Sequence, residues 1–332
     1  MIFFICFISP VISLSSSDWI ISWIGMEIGM IGLFPLLMMN YFSSSKESMM
    51  KYFLIQSLAS MMMFVSGIIF FNNLEQMNMI NYLFLMSLSL KLGIFPGHFW
   101  VPSLVNSLSW VSNMMLLGPL KIAPMGFLSM LILSNDMLYL IMLLGIFSAI
   151  IGSILGNNQT SIRSMIGSSS ISHSGWMCVG VCFGYIWGYM LGYLIILTFM
   201  LLSLFMVDYL SFSVMLLSLS GLPPFIMFLM KMKILLYSLF SLEYIVFFVL
   251  ILSSVISLNF YLKFFYSYFL TNKWNSKFLL SIFCLLNLLG IAFVCFFESK
   301  FFCNKLLIYF YQFSDSCVDS FQQTMKMLVL CT

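Results

Sequence analysis

Long apolar runs, separated by short polar breaks or by proline and glycine, follow one another along almost the whole chain. Most runs contain about 20 residues, the length that an α-helix needs to cross the hydrocarbon core of a bilayer. The pattern predicts about eleven membrane-spanning helices. Their approximate bounds are 1–16, 19–41, 49–71, 80–102, 108–132, 136–156, 163–184, 187–207, 211–237, 243–270 and 278–297.

The breaks between these runs are short, so we predict one transmembrane domain over residues 1–297 and no separate soluble domain. Residues 298–332 are more polar and form a predicted C-terminal tail. Asp315 and Asp319 are four residues apart, which would place both carboxylates on one face of a helix. The tail is therefore a candidate for a surface helix, and the predicted fold class is all-α and polytopic.

The composition agrees with this fold class. Of the 332 residues, 62% are hydrophobic and 7% are charged, and the mean hydropathy is +1.11, whereas soluble domains carry about 25% charged residues. The net charge of +3 is too small to indicate a nucleic-acid partner, and membrane lipids are the expected surroundings. The eight cysteines form no CxxC pair and no cysteine–histidine cluster at metal-ligand spacing, so packing is their expected role.

Lysine and arginine in the predicted loops indicate the orientation of the chain. When the predicted spans are counted in order, Lys46, Arg163, Lys273 and Lys277 fall on one side of the membrane. By the positive-inside rule this side faces the matrix or the cytoplasm. The N-terminus is then inside and the tail outside.

Two of the predicted spans contain strong helix breakers. Residues 93–97 read GIFPG in the fourth span, and residues 220–224 read SGLPP in the ninth. Proline removes a backbone donor and glycine loosens a helix, so both spans are expected to be discontinuous. The two spans are five apart and therefore run in opposite directions. Such an arrangement is typical of inverted repeats, in which ion sites lie at broken helices near the bilayer midplane.

Four charged residues lie inside predicted spans rather than at their ends: Glu27, Lys91, Lys121 and Lys231. A charged side chain at the centre of a bilayer costs roughly 2.5–3.5 kcal/mol on insertion scales, and such residues usually face the bundle interior or a water-filled cavity. Each of the three lysines is also close to a proline in the sequence. The four residues are therefore candidates for an ion site at mid-membrane.

Structural roles for these residues stay open at this point. One alternative for Glu27 is a neutral carboxyl bonded to a backbone carbonyl, and one for Lys91 and Lys121 is a kinked helix whose lysine snorkels to the interface. Gly25 and Gly29 form a small-xxx-small face, which predicts the close approach of another helix. Three further lysines are interpreted as interfacial residues: Lys51, Lys233 and Lys263.

The seventh predicted span is unusually polar, since residues 168–174 read SSSISHS. Hydroxyl groups can hold a chain of water molecules, and His173 can relay a proton near neutral pH. The alternative is a hydroxyl-rich helix contact around a histidine with satisfied hydrogen bonds. The same two interpretations apply to His98.

The sequence contains no Ser/His/Asp order, phosphate-binding loop, dinucleotide fingerprint or metal-ligand quartet. It offers instead a row of protonatable groups in a low-dielectric environment, where a lysine can exchange its proton and respond to neighbouring charges. A potential of about 180 mV opposes each proton by roughly 4 kcal/mol, and changing a buried charge partner can supply this energy. The residues thus predict proton translocation along Glu27, Lys91, Lys121 and Lys231, with His173 as a relay.

Several stretches of the chain resemble the antiporter-like membrane subunits of respiratory complex I. In order they are WIGMEIGMIGLFPLL, KYFLIQSLAS, SLSLKLGIFPGHFWVP, LKIAP, LGNNQTSIRSMIGSSSISHSGWM and LSGLPPFIMFLMK, and they lie between about residues 19 and 235. The HFWVP segment favours the chain 2 subunits of mitochondrial NADH–ubiquinone oxidoreductase.

The resemblance implies a carboxylate–lysine pair of Glu27 and Lys91, a central relay lysine at Lys121, and Lys231 as the lysine of the second broken helix. It also implies that this subunit has no redox centre. NADH, FMN, iron–sulfur clusters and ubiquinone would be bound by other subunits, and quinone reduction there would supply the energy. The implied partners are other complex I membrane subunits, including neighbouring antiporter-like chains, and the implied location is the mitochondrial inner membrane.

Two other functions share these sequence features. An Mrp-like cation/proton antiporter subunit would have the same broken helices and lysines, and ion replacement in reconstituted vesicles would separate it from a proton pump. A structural spacer subunit would use the charges only to pack a complex. In that case Lys121→Met should preserve both assembly and pumping.

Overall fold

The computed structural model describes residues 2–38, 43–71, 78–133, 135–223 and 225–270. In these ranges the chain forms helices joined by short turns, and it contains no strand. The α-helices of the described residues are α1 (Ile2–Ser15), α2 (Trp19–Met38), α3 (Ser43–Phe71), α4 (Asn78–Leu92), α5 (Trp100–Ser107), α6 (Trp110–Leu117), α7 (Ile122–Met130), α8 (Asn135–Asn157), α9 (Ile162–Cys182), α10 (Ile186–Phe205), α11 (Tyr209–Ser220), α12 (Ile226–Phe240) and α13 (Tyr244–Phe269).

Each predicted span within the described ranges corresponds to one helix or to two consecutive helices, so the all-α polytopic prediction is confirmed. Six helical segments of this part are long and apolar enough to cross a membrane: Trp19–Met38, Lys46–Phe71, Trp110–Met130, Asp136–Asn157, Ile186–Phe205 and Tyr244–Phe269. Shorter apolar helices include the first halves of the two broken spans. The predicted span 278–297, the predicted tail 298–332, Lys273 and Lys277 lie outside the described residues.

The first predicted break lies where α4 ends. Gly93 has a φ of +68°, a conformation that glycine adopts at little steric cost, and α5 begins only at Trp100. The Trp100 indole Nε1 donates a hydrogen bond of 3.1 Å to the carbonyl of Leu90, a backbone acceptor near the helix end. Lys91 lies in the last turn of α4, directly beside this break.

The second predicted break separates α11 from α12. Helix α11 ends at Ser220, and Gly221 follows it with a φ of +78°. Both predicted discontinuous helices are thus confirmed, with Lys91 before its break and Lys231 after the other one. A shorter interruption lies between α6 and α7, where the 3-10 turn Pro119–Lys121 joins the two helices and ends on Lys121, the second intramembrane lysine.

Helix α9 is the buried centre of the bundle. Residues 164–181 are all buried, and α9 packs most extensively against α8 and also against α5, α7, α10, α12 and α13. Two glycines allow the close approach of α8, because a Cβ at Gly152 would clash with the backbone nitrogen of Ser172, and one at Gly175 would lie 2.5 Å from that of Ala149. Since other helices enclose α9, its polar side chains do not face lipid.

Helix α1 packs on the small-residue face of α2. A Cβ at Gly25 would lie 2.9 Å from the backbone nitrogen of Ser13, and one at Gly29 would lie 2.5 Å from the Ser9 hydroxyl. The predicted approach of another helix at these glycines is confirmed. Glu27 lies between the two glycines in sequence, whereas an exposed apolar stripe of α2 faces outward at Ile20, Ile24, Ile28 and Ile31.

Polar helix ends meet on one side of the bundle. The Ser107 hydroxyl at the end of α5 donates to the Ser48 hydroxyl near the start of α3, at 2.6 Å. The Ser161 hydroxyl before α9 donates to Oδ1 of Asn106 at 2.8 Å. The starts of α3 and α9, which carry the first two of the four predicted inside charges, therefore share one side. Which compartment this side faces stays a prediction.

Candidate functional site

Glu27 and Lys91 form a buried ion pair. Lys91 Nζ lies 2.8 Å from Glu27 Oε1, and only 6% of the lysine side chain and 13% of the glutamate side chain are exposed. The pair joins the middle of α2 to the last turn of α4 across 64 residues of sequence. The charge-assisted hydrogen bond offsets part of the cost of removing both charges from water. Lys91 thus points into the bundle and does not snorkel to the interface.

A cavity of about 40 Å³ extends from this pair to Lys121. Lys91 and Lys121 both line it, together with the polar side chains of Ser9, Tyr52 and Gln56. A cavity needs roughly 10–15 Å³ of such volume to hold one water molecule, which also requires two to four polar partners. The cavity meets both conditions, so it can hold water beside the first two lysines.

Lys121 is enclosed by protein, with 4% of its surface exposed. Its position at the end of the 3-10 turn directs the amine to α9, where Nζ donates to the carbonyl of Ser170 at 3.3 Å. Among the described residues, no carboxylate lies within ion-pair distance of this amine. The kink predicted from the neighbouring prolines is present, but the lysine does not reach the interface.

His173 lies between two phenols in the interior. Its Nδ1 is 2.9 Å from the Tyr189 hydroxyl, and its Nε2 is 3.1 Å from the Tyr261 hydroxyl. All three side chains are buried. Both ring nitrogens therefore have hydrogen-bond partners, as the alternative of a satisfied histidine requires, and both partners can also exchange protons with the ring.

Lys231 reaches from α12 back to the break that precedes it. Its Nζ donates to the carbonyl of Ser220 at 2.8 Å, one of the last carbonyls of α11, which lack helical partners. The amine also lies 5.6 Å from the centroid of the Trp176 ring, within the range of a cation–π interaction. A Cβ at Gly221 would lie only 3.0 Å from Cδ of Lys231, so this glycine leaves room for the lysine.

Helix α9 connects Lys121, His173 and Lys231, which together with the Glu27–Lys91 pair are called the row below. Ser170, His173 and Trp176 are three residues apart, so they lie on the same side of the helix, each about 4.5 Å further along its axis. The Ser170 carbonyl binds Lys121, and the Trp176 ring faces Lys231. His173 consequently lies between the two lysines.

The serines of α9 use their hydroxyl protons within the helix. The hydroxyls of Ser168, Ser169, Ser170 and Ser172 each donate to the carbonyl three residues earlier, at 2.7–2.9 Å. The Ser174 hydroxyl lies 2.9 Å from the carbonyls of the residues three and four positions before it. Their oxygens can still accept hydrogen bonds, and a water chain along them stays a prediction.

The other lysines lie outside the row. Lys51 is exposed and pairs with Glu47 at 2.6 Å, four residues away on the surface of α3. Lys263 is exposed on α13, and half-buried Lys233 lies 4.9 Å from the centroid of the Tyr185 ring. The interfacial interpretation of these three lysines stays a prediction.

His98 lies in the turn between α4 and α5 and is buried. Its ring centroid is 6.2 Å from that of Phe95 and 4.0 Å from that of Phe99. Within the described part of the chain its Nδ1 has no hydrogen-bond partner. The structure thus gives His98 an aromatic environment, and we do not include it in the row.

Four polar residues for which the sequence predicts no role lie beside the predicted groups: Tyr52, Gln56, Tyr189 and Tyr261. Gln56 carried the clearest signal, because an uncharged polar side chain in the middle of an apolar span is costly unless it has partners. The tyrosines resembled the many other aromatic residues of the chain. Only the packing of α3, α10 and α13 shows what their hydroxyls face.

The row can take up, hold and pass protons. It combines a carboxylate, three amines and an imidazole, and the first two lysines line one cavity that is large enough for water. Within the described ranges, no three histidine, cysteine, aspartate or glutamate side chains converge as a metal site. The chemistry that these side chains support is acid–base exchange.

Comparison with known protein families gives a match over residues 16–211. The matching family is described as the transmembrane part of NADH:quinone oxidoreductase and Mrp antiporter proteins. Among curated proteins, the chain is 38% identical over 271 residues to NADH-ubiquinone oxidoreductase chain 2 of Albinaria caerulea. That alignment covers 81% of this chain and 88% of the relative.

Solved structures share the fold at lower identity. A chain of respiratory complex I from Thermus thermophilus superimposes with a TM-score of 0.76 at 19% identity, covering 87% of this chain and 77% of that one. A chain of the Mrp complex from Dietzia sp. DQ12-45-1b gives a TM-score of 0.73 at 16% identity, covering 79% of this chain and 59% of that one. At these identities the similarity shows the fold alone.

Proposed function

The chain belongs to the family of NADH-ubiquinone oxidoreductase chain 2, and we propose that it translocates protons across the membrane as a core subunit of that enzyme complex. The protons move along the row of Glu27, Lys91, Lys121, His173 and Lys231 and through intervening water. Quinone reduction elsewhere in the complex supplies the energy.

The enclosure of these ionisable groups along one row carries the proposal. Lys121 and Lys231 are almost fully buried, and each amine donates to a backbone carbonyl instead of a carboxylate. Well-packed apolar residues can replace buried charges without loss of stability, so packing alone does not require these amines. Costly charges inside a membrane bundle support a role in moving charge.

Electrostatic coupling between neighbours provides the mechanism. Two unit charges about 10 Å apart at an effective dielectric constant of 20 interact by roughly 1.7 kcal/mol. A potential of about 180 mV opposes a proton by roughly 4 kcal/mol, so a few such interactions are sufficient. A change of charge at the Glu27–Lys91 pair then alters the proton affinity of Lys121, and Lys121 acts in turn on His173 and Lys231.

Membership of the family also supports a proposal about the membrane and the partner subunits of this chain. We place the chain in the mitochondrial inner membrane, beside other membrane subunits that include antiporter-like chains. NADH, FMN, iron–sulfur clusters and ubiquinone are assigned to other subunits, and the purified chain should carry none of them. Co-purification of the chain with flavin and iron–sulfur subunits tests whether it belongs to the complex and whether other subunits bind these cofactors.

Lys121→Met in the intact complex tests the proposed function. The variant removes the amine at the centre of the row and leaves no buried carboxylate without its partner. We expect normal assembly and at least a severalfold loss of proton translocation into vesicles, whereas the exposed-site control Lys263→Met should behave like the wild type. Normal assembly with unchanged pumping would contradict the proposal and favour a structural spacer.

A cation/proton antiporter subunit is the second candidate, because the matching family and the shared fold include Mrp proteins. Vesicles in which Na⁺ and K⁺ are replaced by an impermeant organic cation separate the two functions. A proton pump keeps its rate after the replacement. An antiporter loses proton movement when its exchange ion is absent.

A further inference from the structure

The imidazole of His173 on α9 has two hydrogen-bond partners, one from α10 and one from α13. Tyr189 of α10 and Tyr261 of α13 contact opposite ring nitrogens at 2.9 and 3.1 Å, and neither tyrosine has measurable exposure. Tyr189 also stacks on Trp176, with an interplanar angle of 6°. The Lys231 amine lies 5.6 Å from the centroid of the same Trp176 ring, so Tyr189 and Lys231 both lie beside this indole.

A third tyrosine contacts the histidine through its ring alone. Tyr193 lies one turn after Tyr189 on α10, and its ring centroid is 5.1 Å from that of His173. It is as deeply buried as the other two, yet its hydroxyl has no hydrogen-bond partner among the described residues. The aromatic ring therefore fills space at all three positions, whereas only the Tyr189 and Tyr261 hydroxyls are directed at the imidazole.

The hydrogen-bond inventory of these groups restricts their roles. A neutral imidazole has one N–H donor and one acceptor nitrogen, while a phenol can donate and accept. With a phenol at each nitrogen, one phenol accepts from the ring and the other donates to it. Exchanging the imidazole tautomer reverses both roles.

We propose that Tyr261, His173 and Tyr189 form a three-member proton relay within the row, an inference that rests on the proposed function. A proton arriving at the Tyr261 oxygen releases the phenolic proton of Tyr261 to Nε2 of His173. Nδ1 gives its proton to the Tyr189 oxygen, and Tyr189 releases its own proton toward Lys231. Each oxygen and the ring gain one proton and lose one, so one proton has crossed and the imidazole is left as the other neutral tautomer.

Tyrosine-to-phenylalanine variants of the intact complex in vesicles test the relay. We expect Tyr189→Phe and Tyr261→Phe each to lower proton translocation severalfold, because they remove a hydroxyl and keep the ring. Tyr193→Phe is the matched control and should pump normally. If the hydroxyls act in series, the double variant should pump no less than the weaker single variant, whereas independent packing defects would multiply.

His173→Gln separates relay from structure, since a carboxamide can still offer a donor and an acceptor to the two phenols but cannot exchange tautomers. We expect this variant to assemble normally and to lose pumping as strongly as the tyrosine variants. Normal pumping in Tyr189→Phe and Tyr261→Phe, an equal loss in Tyr193→Phe, or normal pumping in His173→Gln would overturn the relay. Lys121→Met is measured in parallel. If it blocks pumping while the tyrosine variants pump normally, only the relay fails, and if it pumps normally, the proposed function fails as well.

Discussion

The two broken helices hold their lysines in different ways. At the α4–α5 break, Lys91 is bonded to the Glu27 carboxylate at 2.8 Å. At the α11–α12 break, Lys231 is bonded to the Ser220 carbonyl and lies beside the Trp176 ring, both neutral groups. One end of the row therefore has a balanced charge, whereas the partners of Lys231 in the described part of the chain are a carbonyl dipole and a π face.

Under the proposed function, this difference would give the two ends of the row different roles. A carboxylate stabilises the charged lysine at Lys91, so the pair can hold a proton and respond to changes outside the chain. Lys231 has no carboxylate at ion-pair distance in the described part of the chain, and its charge depends on the remaining members of the row. We propose that the Glu27–Lys91 end holds a proton and that the Lys231 end releases it, with Lys121 and His173 between them.

Glu27→Gln should have the largest effect because it removes the charge balance of the first end. Removing one partner of a buried pair costs about 3–5 kcal/mol, so we expect less assembled complex, a lower temperature of heat inactivation and loss of pumping. Glu47→Gln is the matched control, since it breaks the exposed pair with Lys51 and should change neither assembly nor pumping. Equal effects of the two substitutions would contradict the distinction between the pairs.

The double variant Glu27→Gln/Lys91→Met sharpens this result. With both charges removed, no unpaired charge remains buried, so assembly and heat stability should return toward the wild-type values. Pumping should stay lost, because the holding end is missing. A double variant that is as unstable as Glu27→Gln would show that the pair has a packing role beyond its charge balance.

Lys231→Met should abolish pumping without reducing assembly. The substitution leaves no buried carboxylate alone, and methionine is flexible enough to fill the site. The measurement compares the amount of assembled complex with the initial rate of proton translocation. Poor assembly of Lys231→Met would contradict the proposed difference between the two ends, in which only the Glu27–Lys91 end depends on charge balance.

Gly221→Ala should have a smaller effect, expected as a severalfold decrease in proton translocation. The new Cβ would lie 3.0 Å from Cδ and 3.2 Å from Nζ of Lys231, so the lysine must shift, and the left-handed backbone costs roughly 1–2 kcal/mol. Gly184 shares a positive φ of +70°, but a Cβ at this glycine would meet no heavy atom within 4 Å. Gly184→Ala therefore has the same backbone strain without the displaced lysine, and it should pump near the wild-type rate.

Lys263→Gln should have the smallest effect, because the side chain is exposed on α13 and outside the row. We expect no change in pumping or in assembly. A loss of pumping as large as that of Lys231→Met would show that the proton path extends to this surface.

Part of the site could be predicted from local sequence. Glycine and proline fix backbone breaks through short-range sterics, and a charge inside an apolar run is visible without any tertiary information. Both breaks follow from the first signal, which does not depend on the surrounding helices. The second signal identifies Lys91, Lys121 and Lys231 as intramembrane residues, whereas the direction of their amines depends on tertiary packing.

The partners of these groups could not be predicted, because tertiary packing determines them. The Glu27–Lys91 contact spans 64 residues, and the His173–Tyr261 contact spans 88. Tyr189 and Tyr193 have the same residue type and lie one turn apart, yet only the Tyr189 hydroxyl contacts His173. No local pattern separates these two tyrosines.

The presence of ordered water between Lys91 and Lys121 is the most direct test of the central claim, because a continuous proton-conducting row requires it. The decisive measurement is a structure of the intact complex at a resolution that shows ordered water. We predict water in the 40 Å³ cavity, hydrogen-bonded to Gln56 or Tyr52, with the amines of Lys91, Lys121 and Lys231 directed inward. Apolar side chains filling that cavity, with the lysines turned toward the lipid headgroups, would contradict the account.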